Sequence, residues 1–203
     1  MRAAFENVRE ALGWNHDIMV HCAWNFDLRT AIQLAEAVEP IKPLWLEDPM
    51  PPDYNDSWRR LVLSSNVPIC TGENLARRQG FKDFIINQGC DIVHLDIRNT
   101  GGLLESKKIA DLADIFNLPL ANHNSGAAVC TLATIQWAAC IRDYLAAEAW
   151  HIARRDWMDD VVMHDGPLVE NGHFVVPRKP GLGIELNREV VEAHLVPGER
   201  WWG

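Results

Sequence analysis

The sequence predicts an α/β fold on a parallel sheet, and three observations point there. Short apolar β-type runs alternate with helical patterns along most of the 203-residue chain, the unit recurring about every 25 residues. These runs are too uniformly apolar for strands with one wet face, which marks parallel strands covered by crossover helices. Polar residues then recur at the C-terminal ends of the runs: His21, Glu47, Glu73, Asp96, His123 and Glu148 each stand at or near the end of a different one. Barrel enzymes gather their chemistry on that rim, which favours a (β/α) barrel over an open doubly wound sheet. The first run is not followed by GxGxxG, which weakens the dinucleotide-binding version of the doubly wound fold.

Taken in order, residues 2–12 (RAAFENVREAL) carry apolar positions at helical spacing, and Gly13 supplies a stop. IMV at 18–20 is a short buried strand. Asp27 then caps LRTAIQLAEAVE, where Leu28, Ile32, Leu34 and Ala35 make most of an apolar stripe. PLWLE (43–47) is the next strand, followed by a Pro-rich loop and a helix near 56–65. VPICTGE (67–73) precedes the helix FKDFIINQG, and DIVHLD (91–96) leads through NTGG into LESKKIADLADIF. LPLANH (118–123) leads into a helix ending near Cys140, and DYLAAEAW (143–150) is the sixth strand. Beyond Trp150 the alternation stops. Residues 151–185 are loop-rich with one strand at HFVV, and a short helix near 187–194 and a WWG tail close the chain. The expected organisation is a partial barrel domain over 1–185 and a C-terminal helix and tail over 186–203. Six strands fall short of the eight of a closed barrel.

Composition narrows the function. A net charge of −9 argues against a nucleic-acid partner or an anionic membrane surface, since both are polyanions. No apolar run approaches the ~20 residues of a spanning helix, and the N-terminus lacks a signal-peptide layout. The five cysteines (22, 70, 90, 130, 140) are odd in number and scattered, and they read as buried free thiols in a reducing compartment. Cytoplasm is the expected location.

His21, Glu47 and Glu73 are spaced 26 residues apart, one per strand. Neighbouring strands lie ~4.8 Å apart, so three such side chains can converge on one ion. Two carboxylates that close repel each other unless a cation or proton lies between them, and their oxygens suit Mg²⁺. Each acid taken alone reads equally well as a solvated surface charge. Asp96 and His123 form a second constellation. A carboxylate bonded to one imidazole nitrogen fixes the tautomer and raises the basicity of the other, which builds a general base. A histidine in an NHNSG loop can also be a plain turn residue. Glu148 is either a charge facing water or a group that holds substrate or donates a proton.

WLEDP (45–49), PICTGEN (68–74), the HLD…NTGG segment (94–102), NHNSG (122–126), the Glu148 strand and VPRKPGLGIEL (176–186) together resemble the barrel domain of the enolase superfamily. The similarity runs from about residue 1 to 187. It is closest to the mandelate racemase/muconate lactonizing enzyme-like branch, which includes acid-sugar dehydratases. The resemblance implies that Glu47 and Glu73 are the second and third metal ligands and that Asp96–His123 is the base dyad. Glu148 would contact the substrate carboxylate or assist catalysis. It further implies abstraction of the proton α to a carboxylate, a Mg²⁺-stabilised enediolate, and departure of the β-hydroxide to give a 2-keto-3-deoxy acid.

Two departures qualify this. His21 stands where the family has an aspartate as first metal ligand. A neutral imidazole removes one negative charge and favours Mn²⁺, Fe²⁺ or Zn²⁺, so His21 either ligates such an ion or stands beside a weakened site. Ala23 occupies a place where some of the dehydratases carry an additional acid histidine. The second departure is at the front, where the family has a capping domain and two further barrel strands, often with a Lys-x-Lys base. Without them the outer strands present open edges, and a homo-oligomer or a missing part of the natural protein is expected to cover them. The expected partner is a small acid-sugar substrate. A racemase or epimerase of the same superfamily, and a truncated non-catalytic relative, are the alternatives.

Overall fold

The computed structural model describes residues 2–149 and 157–202. Six parallel strands follow one another in chain order and each pairs with the next: β1 (Met19–His21), β2 (Trp45–Glu47), β3 (Ile69–Thr71), β4 (Ile92–Leu95), β5 (Leu120–Asn122) and β6 (Tyr144–Ala147). Sequential parallel pairing without a switch point is barrel topology, and the sheet curls into part of an enolase-type barrel. Trp150, at the end of the sixth expected strand, lies outside the described residues, as do 151–156 of the loop-rich stretch.

Helix α1 (Arg2–Leu12) ends at Gly13, whose φ of +72° admits the left-handed turn that the stop requires. Helix α2 (Leu28–Val38) begins at Asp27, whose carboxylate accepts from the Thr30 amide at 2.8 Å. Asn55 caps α3 (Asp56–Ser64) in the same manner. Helix α4 spans Arg77–Ile86, starting a turn ahead of the expected Phe81. A short helix α5 (Ile97–Thr100), capped by Asp96, was not apparent in the sequence, and α6 (Leu103–Ile115) follows it after two glycines at positive φ. Helix α7 (Ala128–Ala138) stops just before Cys140.

The strands sort their side chains by alternation. Leu46, Ile69, Val93, Leu95 and Leu120 face outward and pack against Leu34, Val38, Trp58, Leu61, Phe81, Phe84 and Ile109. Trp58 is wholly buried there, and truncating such an aromatic costs about 3–5 kcal/mol. The concave side carries its own small cluster of Trp45, Cys70, Ile92 and Ala121. Glu47, His94, Asp96 and His123 lie two and four residues further along those strands, hence on the same concave side and nearer its mouth.

Two expectations are corrected. The outermost strands are not buried on both faces: Met19 of β1 is 43% exposed and Leu145 of β6 is 44% exposed, because each pairs on one side only among the described residues. The five cysteines are all free, but only Cys22, Cys70 and Cys90 are buried. Cys130 is half-buried, and Cys140 is exposed because it lies past the last turn of α7, beyond the packed face of that helix.

After β6 the chain forms small antiparallel pairs. β7 (Val162–Met163) pairs with β10 (Glu185–Leu186), and β8 (Val169–Glu170) with β9 (His173–Phe174). The expected HFVV strand is thus shortened to its first two residues. Helix α8 spans Arg188–Ala193. No described helix is long and apolar enough to cross a membrane.

Candidate active site

The strand ends bring the six expected residues to one rim. On β1 and β2, His21 and Glu47 are register partners. His21 Nε2 lies 3.9 Å from Glu47 Oε1 and 3.9 Å from Glu73 Oε2. Asp48 joins them: one donor atom from each of His21, Glu47, Asp48 and Glu73 falls within a 4.8 Å set. The Glu47 carboxylate is steered by Trp45, whose indole N–H donates to Oε2 at 2.7 Å. Asp48 is buried, adopts φ +45°, and accepts from the Thr71 hydroxyl.

Local backbone explains these positions. Ala23 and Trp24 both hold left-handed conformations that turn the Trp24 ring edge-on to His21, with centroids 5.9 Å apart. Gly72, in PICTGEN, sits at φ +143°, and a Cβ there would come 2.9 Å from Phe81 and 3.0 Å from the His94 carbonyl oxygen. Only glycine lets β3 pass so close to β4 while turning Glu73 toward the rim.

Asp96 and His123 meet beside this cluster. His123 Nδ1 lies 2.8 Å from Asp96 Oδ2. Asp96 is fully buried, and burial alone would favour its neutral form. Hydrogen bonds from His123 and Arg98 outweigh this and hold the carboxyl well below the usual range. An ionised carboxylate only accepts, so Nδ1 carries the proton and Nε2 is the free, basic nitrogen. That nitrogen points at the acids, 3.6 Å from Glu73 Oε2 and 3.8 Å from Glu148 Oε2. Burial disfavours the imidazolium, but the bond to Asp96 and the charges of Glu73 and Glu148 raise its proton affinity above that of an ordinary histidine.

Glu148 is tied to the NHNSG loop, accepting from the Asn124 amide at 2.7 Å. It also lines a cavity of about 640 Å³ along the open edge of β6, together with Thr131, Tyr144 and Phe174. Glu73 is raised by burial and by the charge of Glu47. Glu47 is lowered to about 2 despite burial, because the His94 ring lies 3.3 Å away and the Trp45 indole donates to it.

Sequence reasoning missed three residues. Arg98 bonds both Asp96 oxygens and reaches Ser125 Oγ at 2.8 Å, which links β4 to the NHNSG loop. A basic residue two positions after an expected catalytic acid was the available signal. Asp48 adjoins Glu47 in WLEDP and was visible as a second acid. His94 lies two residues before Asp96, so strand alternation alone places it on the same face.

The parallel half-barrel carries an Asp–His pair beside a carboxylate cluster on its C-terminal rim. The chain belongs to the enolase C-terminal domain-like family, whose model matches residues 1–190. It is 41% identical over 194 residues to a D-xylonate dehydratase of Haloferax volcanii, covering 96% of this chain and 47% of that protein. It is 31% identical to a D-gluconate/D-galactonate dehydratase of Picrophilus torridus, covering 94% of this chain and 48% of the other. Among solved structures, a mandelate racemase/muconate lactonizing enzyme-like protein from Rubrobacter xylanophilus superposes with a TM-score of 0.93 at 34% identity, over 100% of this chain and 51% of that one. The chain therefore spans about half the length of the relatives it matches.

Proposed function

We propose that this chain carries the proton-abstracting and metal-holding rim of a sugar-acid dehydratase. Its reaction removes the proton α to a carboxylate, expels the β-hydroxyl and leaves a 2-keto-3-deoxy acid. The observation that carries this reading is the pairing of a basic His123 Nε2, fixed through Nδ1 by buried Asp96, with a converging acid cluster 3.6 Å away at Glu73. Relatives named as dehydratases of D-xylonate and of D-gluconate/D-galactonate support sugar acids as the substrate class.

The residues present fit a divalent ion. Glu73 Oε2 is buried with no hydrogen-bond partner, and the donor set of His21, Glu47, Asp48 and Glu73 is compact and acidic. Glu47 and Glu73 would hold Mg²⁺, and the imidazole of His21 would widen acceptance to Mn²⁺ and later ions. Such an ion, when bound, would act as a Lewis acid on the substrate carboxylate and drain charge from the α-carbon.

His123 Nε2 takes the α-proton, and Asp96 stays ionised and stabilises the imidazolium. Glu73 and Glu148, both near that nitrogen, add to this stabilisation. The imidazolium then returns its proton to the departing β-hydroxyl, which leaves as water, so one base suffices. Glu148 and the amide of Asn124 form the wall toward the open cavity, where the substrate's polar end would be oriented. The test is incubation of the purified chain and Mg²⁺ or Mn²⁺ with a panel of five- and six-carbon aldonates, assayed for 2-keto-3-deoxy acids. Product from at least one, abolished in His123→Asn, supports the reading. Full turnover in His123→Asn removes the dyad from it.

A further inference from the structure

Beneath the rim, the concave side holds two donors that the proposed reaction does not use, Cys70 and His94, beside one that it does, Glu47. Glu47 on β2, Cys70 on β3 and His94 on β4 bring a carboxylate oxygen, a sulfur and a ring nitrogen within 4.8 Å of one another, all on buried residues. His94 is 3% exposed and Cys70 0%. His94 Nδ1 stands 3.3 Å from Glu47 Oε1, yet it is buried without a hydrogen-bond partner. Leaving such a nitrogen unsatisfied is costly, and this one stands beside a carboxylate, on a ring that shares a 4.8 Å donor set with a buried thiol. The meeting is a consequence of topology, since three adjacent strands each turn one of these side chains inward.

The donor chemistry differs from that of the rim. Nitrogen, sulfur and one carboxylate oxygen are a zinc-type set, whereas the oxygen-rich rim suits harder ions. The 3.3 Å separation of Nδ1 and Oε1 also matches the edge of a tetrahedron whose metal–ligand bonds are ~2.0–2.1 Å.

We propose that Glu47, Cys70 and His94 form a buried site for a thiophilic divalent cation of the Zn²⁺ class, separate from the rim set and sharing Glu47 with it. On binding, Cys70 releases its thiol proton to solvent, and His94 coordinates through Nδ1 with its own proton on Nε2. Glu47 Oε1 lies toward both sets, 3.9 Å from His21 Nε2 on the rim side. An ion in the lower site therefore draws Glu47 away from the rim. The site stands independently of the dehydratase reading. The competing account is a His94–Glu47 ion pair with Cys70 as a packing residue beside Trp45, Ile92 and Ala121.

Co²⁺ is the probe, added under reducing, oxygen-free conditions to a Cys140→Ser chain that lacks the exposed thiol. The expected result is a near-ultraviolet sulfur-to-cobalt charge-transfer band whose intensity saturates at one thiolate-bound Co²⁺ per chain. Zn²⁺ should remove that band, and Cys70→Ala should lack it. His94→Gln should bind Co²⁺ at least tenfold more weakly. No such band at saturating Co²⁺, or a band that survives in Cys70→Ala, overturns the proposal. Should Cys70→Ala fail to fold, X-ray absorption of the Zn²⁺-loaded parent chain decides. A sulfur shell at ~2.3 Å supports the site, and a purely nitrogen and oxygen shell overturns it.

Discussion

Asp96, itself wholly buried, receives two partners on Oδ2 at once, His123 Nδ1 at 2.8 Å and the Arg98 guanidinium at 2.6 Å. The carboxylate cannot turn away from either without leaving a charge unpaired. Its ionisation, the tautomer of His123 and the direction of Nε2 are therefore set by one small network.

The first prediction concerns that network. His123→Asn removes the base and lowers kcat for 2-keto-3-deoxy acid formation by ~10²–10⁴, which leaves no product detectable in an end-point assay. Asp96→Asn leaves the imidazole in place but can pair with its other tautomer, so it too lowers kcat strongly while KM changes little. Steady-state kinetics on the best aldonate check both. A KM effect with kcat preserved would contradict the assigned roles.

Arg98 gives a prediction about stability. Arg98→Ala strips a charged partner from a buried carboxylate, at a cost of ~1–3 kcal/mol, and frees the Ser125 end of the NHNSG loop. Urea unfolding of the variant reads this directly. Arg98→Lys should recover part of the loss, because an ammonium supplies the charge without the two-pronged geometry. Equal stability of the parent and Arg98→Ala would show that the guanidinium is a surface ornament.

Much of this arrangement was legible before any coordinates. The alternation of apolar runs with helical stretches gives the six strands, and their closing residues give the rim. Apolar runs bury, and parallel strands can only end in register on one side. Legibility failed where a residue's role depends on a partner distant in sequence. Nothing local distinguishes His94 from any histidine inside an apolar strand. Arg98 reads as part of a loop until Asp96 is seen to cap α5 with the same carboxylate that holds His123. The half-exposure of β1 and β6 was hidden for a different reason, since a strand's own sequence does not say whether a neighbour covers its edge.

The Glu47–His94 contact carries a pH signature in the metal-free chain. Burial works against both charges, but their mutual attraction lowers Glu47 to about 2 and raises His94. Glu47 has the depressed value, so its contribution to stability is full above its unfolded pKa of ~4.3 and is lost as pH falls toward 2. His94 has the raised value, so its contribution is full below ~6.5 and is lost as pH rises through the folded value. The stability difference between the parent and His94→Gln should be greatest from about pH 4.5 to 6.5 and shrink on both sides. Urea midpoints in EDTA across that range provide the check, and a difference independent of pH would contradict the ion pair.

Metal preference follows from the charge at position 21. His21→Asp adds a negative charge next to Glu47 and Glu73, and should tighten Mg²⁺ binding by ~10-fold or more while reducing the advantage of Mn²⁺. Glu47→Gln and Glu73→Gln should each weaken both ions. Isothermal titration of the three variants decides, and unchanged Mg²⁺ affinity in His21→Asp would place His21 outside the ion's reach.

The central claim is that His123 removes an α-proton so that the neighbouring hydroxyl can leave, and isotope tracing in deuterium oxide tests it most directly. Mass and proton spectra of the 2-keto-3-deoxy product would be recorded after turnover of an unlabelled aldonate by the Mg²⁺- or Mn²⁺-loaded chain. The account predicts a single deuterium at C3, delivered from solvent as the enol product ketonises, with no product from His123→Asn. Substrate recovered with deuterium at C2 and no dehydration product would contradict it and mark the chain as a racemase-type catalyst.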